Sequence, residues 1–243
     1  MSRTTDSLRT HVYKLTKQDI LMGVYGLGEQ LSVEQLAERY KVSKTPVSNA
    51  LHMLQVEGLV EIVPRIGYFT ARFTTKNVQD MFEIRLILET ASARLAAKRI
   101  TDYELLFLER LRSFYTPGDQ STYTSWLQYN REFHCGIAAS SRNADLTQMI
   151  GHLLDRMQRA LWVRLDLPLY PDGDGQGHGK PQDILQRDAL PPEEQSMEQH
   201  ISILEALRRS DGEAAAEAIA GDITASRDAA LKKMLENPKL WPV

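Results

Sequence analysis

The chain has 243 residues, of which 42% are hydrophobic and 25% charged, and its formal net charge is −3. That length suits one large domain or two modest ones, and the composition is ordinary for a globular protein. No apolar run approaches the roughly 20 residues a bilayer span needs, the N-terminus lacks the apolar stretch of a secretory signal, and the single Cys135 excludes an intramolecular disulfide, all of which point to the cytoplasm.

In chain order, a first helix is predicted over Leu8–Met22, broken by Gly23, Gly26 and Gly28. A second begins at Ser32, whose spacing to Gln35 is that of a capping box, and ends near Tyr40. Val42 packs in the following turn. Thr45-Pro46 predicts a helix start, with the threonine hydroxyl as cap and proline in the first position, where no N–H is needed. Val47, Ala50, Leu51 and Leu54 then recur at i, i+3, i+4 and i+7, the stripe of a helix lying on a core, and Gly58 stops it. Leu59–Val63 and Tyr68–Phe73 alternate like strands around a tip, Pro64-Arg65-Ile66-Gly67. A lone hairpin is marginal, so it must lean on the helices. The order is that of a winged helix-turn-helix over residues 1–74.

Beyond Thr74 the pattern is helical. Helices are predicted over Val78–Arg99, Tyr103–Tyr115, Thr122–Ser140, Ala144–Leu167, Glu193–Ser210 and Glu213–Glu236, with Asn77, Thr101, Ser121 and Asn143 as caps. Pro168–Pro192, rich in Pro, Gly and Asp, reads as a loop. The fold class expected is mainly α: the winged module, then an all-α bundle over 75–243 large enough to enclose a pocket. Leu86/Leu88/Leu95 and Met149/Leu153/Met157 read as core stripes, and Trp126, Tyr129 and Trp162 as packing or cavity aromatics.

The charge divides along the same line. Residues 1–75 carry nine Lys/Arg against seven Asp/Glu, an excess of +2, and the remainder carries −5. The N-terminal module can therefore meet phosphate while the acidic body stays away. Ser43, Lys44, Thr45, Ser48 and Asn49 open the helix expected in the major groove: Lys44 suits guanine or phosphate, and Asn49 suits adenine. Arg65 at the wing tip, beside Gly67, suits phosphate or the minor groove.

The segment from Val12 to Thr70 resembles the N-terminal domain of the GntR family of bacterial transcription regulators, through LSVEQLAERYKVSKTPVSNAL, the Gly58-Leu59-Val60 step and a glycine-tipped wing. It departs at Leu27, where proline is usual, at Lys44 and Ser48, where the family has arginines, and at Asn49, where it has glutamate. The resemblance implies double-stranded operator DNA as partner, with base preferences of its own. MFEIRLILETASARLAA, YNREFHCGIAASSRN and EQHISILEAL resemble the FadR-like ligand-sensing bundle called FCD. That resemblance implies a homodimeric regulator, typically a repressor, controlled by a small carboxylate held on a divalent metal.

The ligand set the resemblance implies is Asn130, His134, His200 and Asp222, with Asn130 in place of the family's aspartate and Asp222 in place of its last histidine. Two imidazoles, a carboxylate and an amide oxygen suit Zn, Ni or Mn. The alternative is a metal-free sensor whose histidines are satisfied by hydrogen bonds. Arg85 is the candidate effector contact through a bidentate carboxylate clamp, with a salt bridge to Glu83, Glu89 or another helix as its alternative. His152 and Cys135 have no evident role. A helical metalloenzyme is the rival from another class, but Glu132-x-His134 and Glu198-x-His200 are two apart and splay to different faces, and no phosphate-loop, HExxH or nucleophile-elbow motif occurs.

Overall fold

A computed structural model of the chain describes residues 2–113, 122–162 and 194–236. The residues cluster into two compact units. One holds residues 1–73 and, of the described remainder, 158–162; the other holds 74–157 and the described residues from 194 on. The Pro168–Pro192 loop, the Ser121 cap and the predicted ends at Tyr115 and Leu167 lie outside the described residues. No described helix is long and apolar enough to cross a membrane.

The first unit runs α1 (Ser2–Leu21), β1 (Gln30–Leu31), α2 (Val33–Tyr40), α3 (Lys44–Val56), β2 (Val60–Val63) and β3 (Gly67–Thr70). Its core is built by α1, α2, α3 and the sheet: Val12, Ile20, Leu31, Leu36, Val47, Ala50, Leu51, Leu54 and Leu59 are buried. The sheet order is β1-β3-β2, all antiparallel. The two-residue β1, too short for periodicity to reveal, pairs Gln30 with Phe69 and Leu31 with Tyr68. This third strand is what the hairpin leans on.

Local chemistry explains the boundaries. Ser32 caps α2 by accepting from the Gln35 amide. The cap of α3 is Ser43, not Thr45, and the helix begins at Lys44 without a side-chain cap bond. Pro46 is thus the third helical residue, tolerated because first-turn N–H groups have no partner in the helix. After α3, Gly58 takes φ of 74°, and the Leu59 amide reaches back to Leu54 O at 3.0 Å while Gly58 N reaches Gln55 O at 3.0 Å. That left-handed turn is natural for glycine and reverses the chain into the wing.

The second unit contains α4 (Thr75–Ala96), α5 (Asp102–Ser113), α6 (Thr122–Ser140), α7 (Ala144–Trp162) as far as Met157, α8 (Glu194–Arg208) and α9 (Gly212–Glu236). Helix α4 packs on α9 and α6, α8 packs on α9, and α5 packs on α6 and α8. It starts earlier than predicted because Thr74 is the cap: Thr74 accepts from the Asn77 amide and Asn77 returns a bond to Thr74 N, a complete capping box. Thr101 does the same with Glu104 at the start of α5, and Asn143 Oδ1 accepts from Leu146 N at 3.1 Å.

The leucine stripe expected to be core is displaced. Leu86, Leu88 and Leu95 are half-buried, whereas the buried face of α4 is Val78, Met81, Phe82, Arg85, Glu89, Ser92, Ala93 and Ala96. Polar residues occupy its middle. Likewise Met149 is 56% exposed while Leu153 and Met157 are buried.

Candidate metal centre and nucleic-acid interface

Helix α3 has two faces. Val47, Ala50, Leu51 and Leu54 are buried, while Thr45, Asn49, His52 and Val56, at i, i+4, i+7 and i+11, form one exposed face. Ser43 and Lys44 are exposed beside it and Ser48 is half-buried. Lys44 Nζ lies 2.5 Å from Glu34 Oε1, an exposed pair that contributes little and can exchange its carboxylate for a phosphate oxygen. Arg65 is exposed at φ of 66°, and Gly67 sits at φ of 141°, where a side chain would be strained. His52 was not singled out as part of this face. Its Nε2 lies 3.2 Å from Tyr68 Oη on β3, tying α3 to the wing. Its spacing from Ser48 and Asn49 was the available signal.

The second unit gathers charge in its interior. Helix α6 supplies His134, α8 His200 and α9 Asp222, which are 1%, 0% and 1% exposed. Their potential ligand atoms all lie within 4.8 Å of one another. Asp222 Oδ2 is 3.3 Å from His134 Nε2, and Oδ1 is 3.7 Å from His200 Nε2. Asn130 is half-buried one turn before His134. Phe133 stacks on the His200 ring with centroids 4.1 Å apart, and Trp126 is near parallel to the same ring at 5.9 Å.

Each histidine is also met on its other nitrogen. Glu89 Oε2 lies 2.7 Å from His134 Nδ1, an ion-pair contact off the ring's hydrogen-bonding line. Tyr129 Oη lies 2.9 Å from His200 Nδ1. Arg85 pairs within its own helix: its Nε donates to Glu89 Oε1 at 2.6 Å, one turn along α4. Its Nη2 is buried without a hydrogen-bond partner. The paired role of Glu89 on Arg85 was legible from spacing; its contact with His134 was not, because it depends on how α4 and α6 pack.

The electrostatics separate the two imidazoles. Burial alone would lower the His134 pKa, but the Glu89 and Asp222 carboxylates outweigh it and hold it up to about 9. Burial pushes His200 down to about 3, against the pull of Asp222, so it is neutral. Burial would raise Glu89, yet Arg85 and His134 hold it down to about 2. The donor set fits a divalent cation: two imidazoles and a carboxylate leave a further position open. Both Nε2 atoms are buried without a hydrogen-bond partner, as is His134 Nδ1.

The enzyme-like pairs do not form at this centre. Glu132 bonds Gln128 on its own helix and Glu198 is exposed. His152 and Cys135 are half-buried. The side chain of Trp162 lies outside the described residues.

Comparison with known proteins now bears on both units. The FCD domain family matches residues 80–225, and the family described as bacterial regulatory proteins, gntR family, matches residues 8–69. The Nta operon transcriptional regulator of Aminobacter aminovorans is 32% identical over 139 residues, covering 56% of this chain and 65% of that protein. The match thus spans under two thirds of that relative's length. The HTH-type transcriptional repressor RspR of Escherichia coli K12 is 24% identical over 211 residues, covering 86% of this chain and 83% of the other. Among solved structures, E. coli McbR/YncC superposes with a TM-score of 0.71 at 20% identity, covering 93% of this chain and 98% of that one, a likeness of fold.

Proposed function

This chain belongs to the FCD-domain branch of the GntR family of bacterial transcriptional regulators, and from that premise we propose that it is a metal-dependent, acid-responsive repressor. The chain binds operator DNA as a homodimer in the cytoplasm, reading a short inverted repeat through Ser43, Lys44, Thr45, Ser48 and Asn49, with Arg65 and Gly67 at the wing. A divalent ion held by His134, His200 and Asp222, with Asn130 beside them, offers its open position to a small carboxylate effector. The effector releases DNA by binding the two conformations of the dimer unequally.

The observation that carries this reading is the convergence of three buried ligand groups whose inner nitrogens lack hydrogen-bond partners. Charge supports it. With both imidazoles neutral, one buried guanidinium against two buried carboxylates leaves the cluster one charge negative, a deficit that either a proton on His134 or a bound cation makes good. A divalent ion would turn that balance positive by one, which a single carboxylate neutralises. The unpartnered Arg85 Nη2 provides a donor for the same ligand. For the homodimer, Ile84 and Ile87 on α4 are 43% and 68% exposed, one helical turn apart, apolar surface that a second copy would cover. The name of RspR as a repressor favours that sign of output.

One observation favours the metal-free reading: Glu89 and Asp222 already bracket His134, so a proton can stand where the ion would. Metal analysis of protein purified without chelator, followed by gel shifts on its own promoter region with a carboxylate library, separates the two. The proposal expects about one divalent ion per chain and acid-induced release that disappears after chelation. Release unaffected by chelation would establish the metal-free sensor, and absence of any sequence-specific shift would overturn the operator assignment.

A further inference from the structure

We propose that Glu89 and Tyr129 are the positioning residues of the metal centre, Glu89 by its charged contact with His134 Nδ1 and Tyr129 by its hydrogen bond with His200 Nδ1, so that both inner nitrogens converge on Asp222. The inference rests on the metal reading above. An imidazole offers a metal one nitrogen; the other keeps a proton and needs an acceptor, and that acceptor fixes the tautomer and the ring's direction. Here both rings are met on the same atom, Nδ1, by groups from different helices. Glu89 of α4 stands 2.7 Å from His134, and Tyr129 of α6 stands 2.9 Å from His200. Both Nε2 atoms then face the two oxygens of one carboxylate, Asp222.

The surroundings hold the two grips in place. Arg85 binds the second oxygen of Glu89, so this carboxylate serves as an orienting group and not as a ligand in its own right. Arg85 and Glu89 are 4% and 1% exposed, so the pair lies out of reach of bulk solvent. Phe133, stacked on His200, fixes the plane in which the Tyr129 bond must lie. The grips differ in strength. A carboxylate raises the basicity of its imidazole, whereas a phenol oxygen orients without adding charge, so Glu89 should matter more than Tyr129.

The test is Co2+ titration of chelator-treated full-length protein at fixed pH, with wild type, Glu89→Gln, Glu89→Asp and Tyr129→Phe. Glu89→Asp keeps a charge for Arg85 while withdrawing the carboxylate from His134. Both Glu89 variants should bind Co2+ about 10- to 100-fold more weakly, and Tyr129→Phe about tenfold more weakly. The visible spectrum of the bound Co2+, which reports ligand geometry, should shift in each, while the far-ultraviolet circular dichroism stays that of wild type. Should Glu89→Gln fail to fold, the other two variants decide. Wild-type affinity and an unshifted spectrum in the folded variants would overturn the positioning role and leave the metal centre standing. A wild-type chain that takes up no Co2+ would overturn the metal reading and this inference with it.

Discussion

The DNA-reading unit and the helical unit solve opposite problems. In the first, the polar chemistry faces outward from α3 and the wing, over an apolar core of Val12, Val47, Leu51 and Leu54. In the second, the ionic chemistry lies inside, with Arg85, Glu89, His134, His200 and Asp222 taking positions that an ordinary bundle fills with leucine. A surface site costs the fold little and can be altered one residue at a time. A buried ionic site is coupled to stability, because each charge removed leaves another uncompensated.

The sharpest way to break that contrast is Arg85→Met. It removes the guanidinium from Glu89 and leaves His134 as the cation facing that carboxylate, and thermal or denaturant unfolding of the chelated protein should show a loss of about 3–5 kcal/mol. A loss within the ordinary surface range would mean that the interior charges are solvated after all. Next, His134→Ala should abolish metal occupancy, measured by elemental analysis of the purified protein; retained metal would move the site elsewhere.

The interior should also respond to pH as the surface does not. His134 is raised in the folded state from about 6.5 to about 9, so its stabilising contribution is fully present below pH 6.5 and is lost as pH rises through 9. That amounts to about 3 kcal/mol as an order of magnitude. Thermal melts of chelated protein should therefore fall between pH 6.5 and 9, while metal affinity climbs over the same window because the ion competes with that proton. A flat profile would sink the assignment. Glu89, depressed to about 2, contributes above pH 4.5 and fails only in strong acid.

On the outer face the effects are smaller and fall on binding. Asn49→Ala should cost about 1–3 kcal/mol in operator affinity and leave melting unchanged, as read by titration on the preferred site and by calorimetry. Glu34→Ala, which releases Lys44 and a long contact from Ser32 on an exposed surface, should lower the melting temperature only slightly. A destabilised Asn49 variant would show that the reading face is part of the core.

How much was legible follows the same division. Elements of the first unit announce themselves because their cores are apolar and their ends carry Ser32 and Gly58, whose conformational preferences act locally. The α3 start was misplaced by two residues because Ser43 and Thr45 are equally suited to cap, and only the packed helix chooses. In α4, hydrophobic periodicity selected leucines, since a stripe read from apolar residues passes over a buried face built on Arg85 and Glu89. His134, His200 and Asp222 entered through family likeness, and no spacing rule joins residues on α6, α8 and α9. Glu89 was visible as a partner for Arg85, yet its second contact exists only once α4 meets α6.

The two-residue β1 ends one step before Ser32, so the strand bonded to the wing is covalently continuous with the cap of α2. His52 and Tyr68 add a second stitch between helix and hairpin. Reading head and wing are thus fastened as a single stylus whose contour is fixed at both seams. In the proposed homodimer, a signal could lift or re-space such a stylus but not reshape it, and control of transcription would then be written in the distance and phase between two heads along the duplex.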